Sequence, residues 1–293
     1  MTGAKKQAIL FVNPRKENAL QFADEISAEL QRRNFGIELF EIKDRQELHF
    51  KSGNDIAFSL GGDGTVLYTA RAMAPLGVPV FPVNLGTLGF IAAVHPEDWS
   101  KTLDLWMEGR ARISRRLMLE ARIERGGKEI TAIQCLNDFV ISASGIAKII
   151  KLGVFVTDGD LNRMNLGQYR SDGLIIATPT GSTAYSVAAG GPILDPEMEA
   201  LILNPVCPFT LSNRPLVLPA RETLIVDVEK EQRSGVLLTV DGQVTETLEP
   251  GDRLLVTRSP WPGILVASDR STFYNALKTK LSWLDTPGRN SDA

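Results

Sequence analysis

Cysteine is nearly missing from this chain of 293 residues, which has only Cys135 and Cys207. Neither their count nor their spacing makes a disulfide framework or a zinc site, and their apolar surroundings read as those of buried free thiols. An excess of one charge is also missing. The formal net charge of -3 argues against general nucleic-acid or membrane-surface binding. No apolar run is long enough to cross a bilayer. After Lys5-Lys6, the apolar residues 8–12 are cut off by Asn13-Pro14-Arg15-Lys16, so no signal-peptide core forms. A cytoplasmic protein with no membrane or nucleic-acid partner is expected. Two familiar glycine motifs are absent as well: there is no Gly-x-x-x-x-Gly-Lys-Ser/Thr string and no Gly-x-Gly-x-x-Gly fingerprint.

The chain does have ordinary globular composition, 43% hydrophobic and 23% charged, and enough length for two modest domains. Its first part alternates strand and helix patterns. Strands are expected over 8–12, 36–42, 55–60 and 78–83. Helices are expected over 18–33, with Leu20, Ile26 and Leu30 on one face, and from Thr65 to about Met73. Such alternation implies a parallel sheet covered on both faces, with ligands beyond the carboxyl ends of its strands. After about Arg110 short alternating segments take over, separated by hairpin signals at 125–128, 157–160 and 241–243. A mainly β second domain is expected. Arginines 110, 112, 115, 116, 122 and 125 read as a solvated strand edge and linker. Residues 271–283 read as a helix packing back on the first domain, and 285–293 as a frayed end. The expected units are 1–112, 113–268 and 269–293.

Chemistry concentrates in three places. Gly61-Gly62-Asp63-Gly64-Thr65 follows a buried strand and opens a helix, which is an anion site in its backbone amides and helix dipole. Asp63 is foreign to a pure phosphate cradle, although Gly-Gly-Asp-Gly is also a plausible plain turn. Asn137-Asp138 offers a donor and an acceptor side by side, suited to a ribose diol or a carboxamide, and is also a common turn pair. The densest stretch runs from Tyr169-Arg170-Ser171-Asp172 through Thr178-Pro179-Thr180-Gly181-Ser182-Thr183-Ala184-Tyr185-Ser186-Val187-Ala188 to Gly190-Gly191-Pro192. It combines a buried strand, a hydroxyl-rich glycine turn and a short helix, with neutral donors for phosphate or ribose oxygens. Arg170 is the nearby partner expected for Asp172.

These blocks, with Asn84-Leu85-Gly86-Thr87-Leu88-Gly89-Phe90 between the first two, occur in the order found in the NAD kinases, and the chain resembles that family nearly end to end. The Gly-Gly-Asp-Gly motif is shared with diacylglycerol- and sphingosine-type lipid kinases and, in related form, with phosphofructokinases. The block around Thr180-Gly181-Ser182-Thr183 is much more specific. The resemblance implies a Rossmann-like N-terminal α/β domain, a C-terminal domain of β-sandwich type, and an active site between them. It implies ATP as phosphoryl donor, Mg2+ or another divalent metal, NAD as acceptor, and a homo-oligomer, dimer or tetramer. Asp63 matches the carboxylate regarded as base for the adenosine 2′-hydroxyl. Gly61, Gly62, Gly64 and Thr65 match the phosphate loop. Asp63, Gly64, Asn137, Asp138, Lys148, Arg170, Asp172, Thr183, Ala184, Tyr185, Ser186, Val187, Ala188 and Gln243 match positions that approach NAD. One departure is Asn137-Asp138, where the family usually has Asn-Glu; a bridging water would span the missing methylene.

The expected mechanism places the γ-phosphoryl group of Mg-ATP over the glycine loop while Asp63 accepts the 2′-hydroxyl proton, with positioning and charge neutralisation supplying most of the rate. Metal ligation is the competing role for Asp63. The rival functions are a lipid or sugar kinase with the same loop, and a nucleotide-binding regulator without catalysis.

Overall fold

The computed structural model describes residues 5–43, 50–86, 89–146, 148–157, 163–210 and 213–280. Thr87 and Leu88 of the second glycine turn, the hairpin residues 158–160 and the tail from 281 onward lie outside them.

The chain begins with β1 (Gln7–Val12), α1 (Ala19–Arg32), β2 (Gly36–Glu41), β3 (Ile56–Gly61), α2 (Asp63–Met73), β4 (Val80–Asn84), α3 (Trp99–Met107) and β5 (Ile113–Arg116). β3 and β4 are buried along their whole length, as strands of a parallel sheet covered on both faces must be. In α1 the buried stripe is Ala19, Ala23, Ile26 and Leu30, at helical spacing. Leu20 was expected on that face but is 44% exposed, because it sits one residue round the helix from Ala19. α1 and α3 cover one face of the sheet, and α2 covers the other together with Met118 and Leu136.

The middle of the chain runs through β6 (Leu119–Arg125), β7 (Lys128–Cys135), β8 (Asp138–Ala143), β9 (Ile150–Thr157), β10 (Met164–Ser171) and β11 (Gly173–Ala177). A 3-10 turn (Thr180–Thr183) and the short α4 (Tyr185–Ala188) follow. Then come β12 (Ala200–Val206), β13 (Leu216–Pro219), β14 (Thr223–Val228), β15 (Val236–Val240), β16 (Val244–Leu248) and β17 (Arg253–Arg258). They form two antiparallel sheets, β10-β9-β14-β17-β6-β7 and β13-β12-β11-β8-β15-β16. The two pack face to face over Leu119, Phe139, Leu152, Leu174, Leu201, Leu238 and Leu254. The chain closes with β18 (Gly263–Val266) and α5 (Arg270–Lys280).

β18 pairs with β4 and β5 with β18, so the first sheet reads β2-β1-β3-β4-β18-β5. The segment 113–268 thus lends both of its ends to that sheet. This also explains Arg116, which was expected to be solvated. It lies on the sandwich-facing side of β5, is 2% exposed, and donates to the carbonyl and hydroxyl of Ser268. Burial lowers the pKa of its guanidinium to about 10. Cys207 is another correction: it is exposed just past β12, whereas Cys135 is buried. In α5, Phe273 packs on Phe90 with ring centroids 6.2 Å apart, which brings this helix back onto the loop after β4. Among the described residues no helix is long and apolar enough to cross a membrane.

Candidate active site

The sheet order reverses between β1 and β3, and a crevice forms where the loops leaving those two strands diverge. The crevice is a cleft of about 1330 Å³ between the first sheet and the β15–β16 hairpin. Asn13, Arg15 and Lys16 line it from the end of β1, and Gly62, Asp63 and Gly64 from the start of α2. Gln243 and Glu246 face them from the hairpin, and Lys280 stands at the rim. Arg15, Lys16, Lys43 and Lys280 outnumber Asp63 and Glu246 along these walls, which suits a polyanionic ligand. Tyr68 also lines the cleft, and its buried hydroxyl has no hydrogen-bond partner among the described residues.

Asp63 is the first residue of α2, with Gly62 as its N-cap, rather than a mid-loop residue ahead of a helix starting at Thr65. A carboxylate in the first turn is favoured by the helix dipole. It reaches to the chain after β4, where the N–H groups of Phe90, Ile91 and Ala92 donate to it at 2.8, 3.2 and 2.9 Å. Asp63 therefore ties the glycine turn after β3 to the chain that follows β4. The glycines divide into two kinds. A Cβ on Gly61 would stand 2.1 Å from Thr65 Oγ1, and one on Gly89 would stand 1.9 Å from Asp63 Oδ1, so packing requires both. A Cβ on Gly62 would meet nothing within 4 Å. Its φ of -111° is open to any residue, so neither packing nor backbone conformation calls for glycine there.

Asn137 and Asp138 join β7 to β8. Their backbone N–H groups donate to Asp241 Oδ1 at 2.7 and 3.2 Å, and that of Leu136 donates to Oδ2 at 3.1 Å. Asp241 and Gly242 have φ of 49° and 67°, a type I′ turn that points the Asp241 carboxylate inward. Asp138 is 4% exposed; burial first, and the Asp241 charge second, push its carboxyl pKa up to about 7. Thr178 donates its N–H to the Asn137 carbonyl and its hydroxyl to that of Leu136, which docks the hydroxyl-rich block behind this pair. Asn137 Oδ1 and Thr180 Oγ1 are buried with no partner among the described residues.

Of the remaining expected positions, those other than Thr65 lie outside the cleft lining. Thr65 lines it, buried against Gly61. Thr183, Ala184 and Val187 are half-buried, Tyr185 and Ala188 exposed, and Ser186 is buried against Asn204. Lys148 is exposed before β9, and Arg170 is exposed on β10 in a separate groove beside Lys151 and Glu229. No ion pair joins Arg170 to Asp172, which lies half-buried past the end of β10. Two residues were not singled out beforehand. Arg71 and Asp241 form an ion pair at 2.7 Å with side chains 3% and 0% exposed, and Arg71 also donates to Gln243. The available signal was a lone arginine inside the otherwise uncharged segment 64–74.

The ATP-NAD kinase N-terminal domain matches residues 40–111, and the ATP-NAD kinase C-terminal domain matches residues 136–267. The chain is 41% identical to the NAD kinase of Treponema denticola, covering 95% of this chain and 96% of that one. Its fold superposes on a yeast NADH kinase complexed with NADH at a TM-score of 0.84 and 22% identity, covering 99% of this chain and 91% of that one. It superposes on an NAD kinase from Archaeoglobus fulgidus in complex with ATP at a TM-score of 0.73 and 25% identity, covering 94% and 99%. With both domain matches in order and this identity over nearly the full length, the chain belongs to the NAD kinase family.

Proposed function

We propose that the cleft at the start of α2 transfers the γ-phosphoryl group of ATP to the 2′-hydroxyl of the adenosine ribose of NAD, with Asp63 as proton acceptor. The observation that carries this is the open space above Gly62, at a helix N-terminus beside a carboxylate. Glycine is needed there only if a ligand comes close to the backbone. The two oxygens of Asp63 have about four acceptor sites. Amides take two on Oδ1 and one on Oδ2, which leaves Oδ2 one site for a substrate hydroxyl. Arg15, Lys16 and Lys280 supply positive charge for the triphosphate. Among the described residues no group of three His, Cys, Asp or Glu gathers to hold a metal ion. That donor set suits Mg2+ carried in with the nucleotide, held by phosphates and water with at most one or two carboxylates. Asn137, Asp138, Thr183, Ala184 and Tyr185 are the proposed dinucleotide face. The exposed Phe209, Leu216 and Val217, in and before edge strand β13, supply apolar surface for a homo-oligomer.

The test is direct. Purified protein with Mg-ATP and NAD forms NADP, and diacylglycerol in place of NAD gives no product. Lipid phosphorylation without NADP overturns the assignment, as does tight NAD binding with no turnover.

A further inference from the structure

We propose that Asp195 is a positioning residue for phosphoryl transfer: it anchors α5 to the loop between α4 and β12, and α5 holds the chain after β4 that supports Asp63. This rests on the kinase activity proposed above. Three donors of α5 converge on one oxygen of Asp195. Arg270 Nε and Nη2 stand 2.8 and 2.6 Å from Oδ2, and the Tyr274 hydroxyl donates to it at 2.8 Å. Arg270 and Tyr274 are four residues apart, so they share one face of the helix. The buried stripe beside them is Phe273, Ala276 and Leu277. The other oxygen, Oδ1, accepts from the Glu197 N–H at 3.0 Å, which fixes the carboxylate within its own loop. At the start of α5, Asp269 accepts from the Thr272 N–H at 2.9 Å and pairs with Arg112. Arg270 is more than half exposed, so its pair with Asp195 adds little to stability, and its effect is on position.

This brace joins the two partners of the reaction. On one side, Asp195 follows Leu194, whose N–H donates to Ser182 Oγ at 3.0 Å, and Ser182 lies in the hydroxyl-rich turn. That turn leads into Thr183, Ala184 and Tyr185, proposed above to face the dinucleotide. On the other side, Phe273 packs on Phe90, and Lys280 Nζ stands 4.8 Å from the centroid of the same Phe90 ring. The Phe90 N–H donates to Asp63 Oδ2 at 2.8 Å, and Oδ2 is the oxygen left with a site for the substrate hydroxyl. A shift of Phe90 therefore moves the oxygen that takes the proton. The path from Asp195 through α5 to Phe90 shares no residue with the Arg71–Asp241 pair. A misplacement of about 1 Å at a reacting centre costs on the order of a hundredfold in rate, so a small slip of α5 is enough to be read in kcat.

A double-mutant cycle tests the brace. Asp195→Ala cuts its anchor, Phe273→Ala removes the ring from Phe90, and the double variant does both. Steady-state kinetics with NAD and Mg-ATP are expected to show kcat lowered by roughly three- to thirtyfold in each single variant, with the KM for NAD within about twofold of wild type. The two changes break one link in series, so the double variant is expected to be no slower than the slower single variant. Tyr274→Phe removes only a surface hydroxyl and leaves the fold intact; its kcat is expected to fall between those of wild type and Asp195→Ala. Losses that multiply in the double variant are two separate structural injuries and overturn the proposal. A raised KM for NAD with kcat kept also overturns it, as does wild-type kcat in both Asp195→Ala and Tyr274→Phe. If the wild-type protein itself makes no NADP, the kinase assignment fails before any variant is compared, and the part of the brace in transfer fails with it.

Discussion

The first sheet and the sandwich supply the two walls of the cleft by different means. The parallel sheet delivers its groups from strand ends: Asn13 and Arg15 after β1, Gly62 and Asp63 after β3. Their placement follows from local strand-turn-helix geometry at the point where the strand order reverses. The sandwich delivers its groups from connections between strands: Gln243 and Glu246 from the β15–β16 hairpin, and, tied to Asp241 of that hairpin, Asn137 and Asp138 where the chain crosses from β7 of one sheet into the start of β8 of the other. These connections have no intrinsic direction toward the cleft. Buried hydrogen bonds to Arg71, a residue of the other wall, give them one. The α/β wall thus holds the proposed chemistry, and the sandwich wall holds the spacing.

Severing the link between the walls has the largest expected effect. Arg71→Met leaves Asp241 buried without its cation and is expected to cost about 3–5 kcal/mol, read by urea unfolding. A loss under about 1 kcal/mol would mean that the three amides alone hold Asp241. Next comes the chemistry of the first wall. Asp63→Asn is expected to lower kcat by roughly 10²–10⁴-fold while NAD still binds. It is also expected to cost about 1–3 kcal/mol, since the asparagine NH₂ replaces the oxygen that accepts from Phe90 and cannot accept in its place, while the remaining oxygen keeps Ile91 and Ala92. Turnover near wild type removes Asp63 as proton acceptor.

The sandwich wall has its own signature in pH. The carboxyl pKa of Asp138 is raised from 3.8 to about 7 in the folded state. Between those values the folded chain holds a proton that the unfolded chain has released. Its contribution to stability is full below about pH 4 and is lost as pH rises through about 7. Asp138→Asn is expected to flatten that slope and to gain on the order of 2 kcal/mol over wild type at pH 8. Parallel unfolding curves for the two proteins between pH 5 and 8 would show that Asp138 is already ionised in the fold. The smallest expected effect separates the two kinds of glycine. Gly61→Ala costs about 1–3 kcal/mol through its clash with Thr65. Gly62→Ala changes stability by only a few tenths to about 1 kcal/mol but abolishes most activity. An active Gly62→Ala variant would mean that no ligand approaches that backbone closely.

Much of the fold was legible in one dimension. Continuous apolar runs marked β3 and β4, and the short alternating segments after Arg110 marked the second domain as mainly β. The hydroxyl-rich block carried the family. The failures came where one residue's face or depth depends on a distant partner. Leu20 lay beside the buried stripe of α1, Cys207 lay beyond the buried part of β12, and Arg116 was taken for a surface charge. β5 and β18 are four residues each and gain their place only by pairing with each other and with β4.

The residues alone settled the strand-glycine-helix unit, the order of the motifs and the family, because those signals are local spacing and local backbone preference. Tertiary structure decided which groups meet. Arg71 and Asp241 are separated by 170 positions, and nothing in the neighbourhood of either names the other. A buried guanidinium and a buried carboxylate are tolerable only when they find each other, and the chain's path through three sheets determines whether they do.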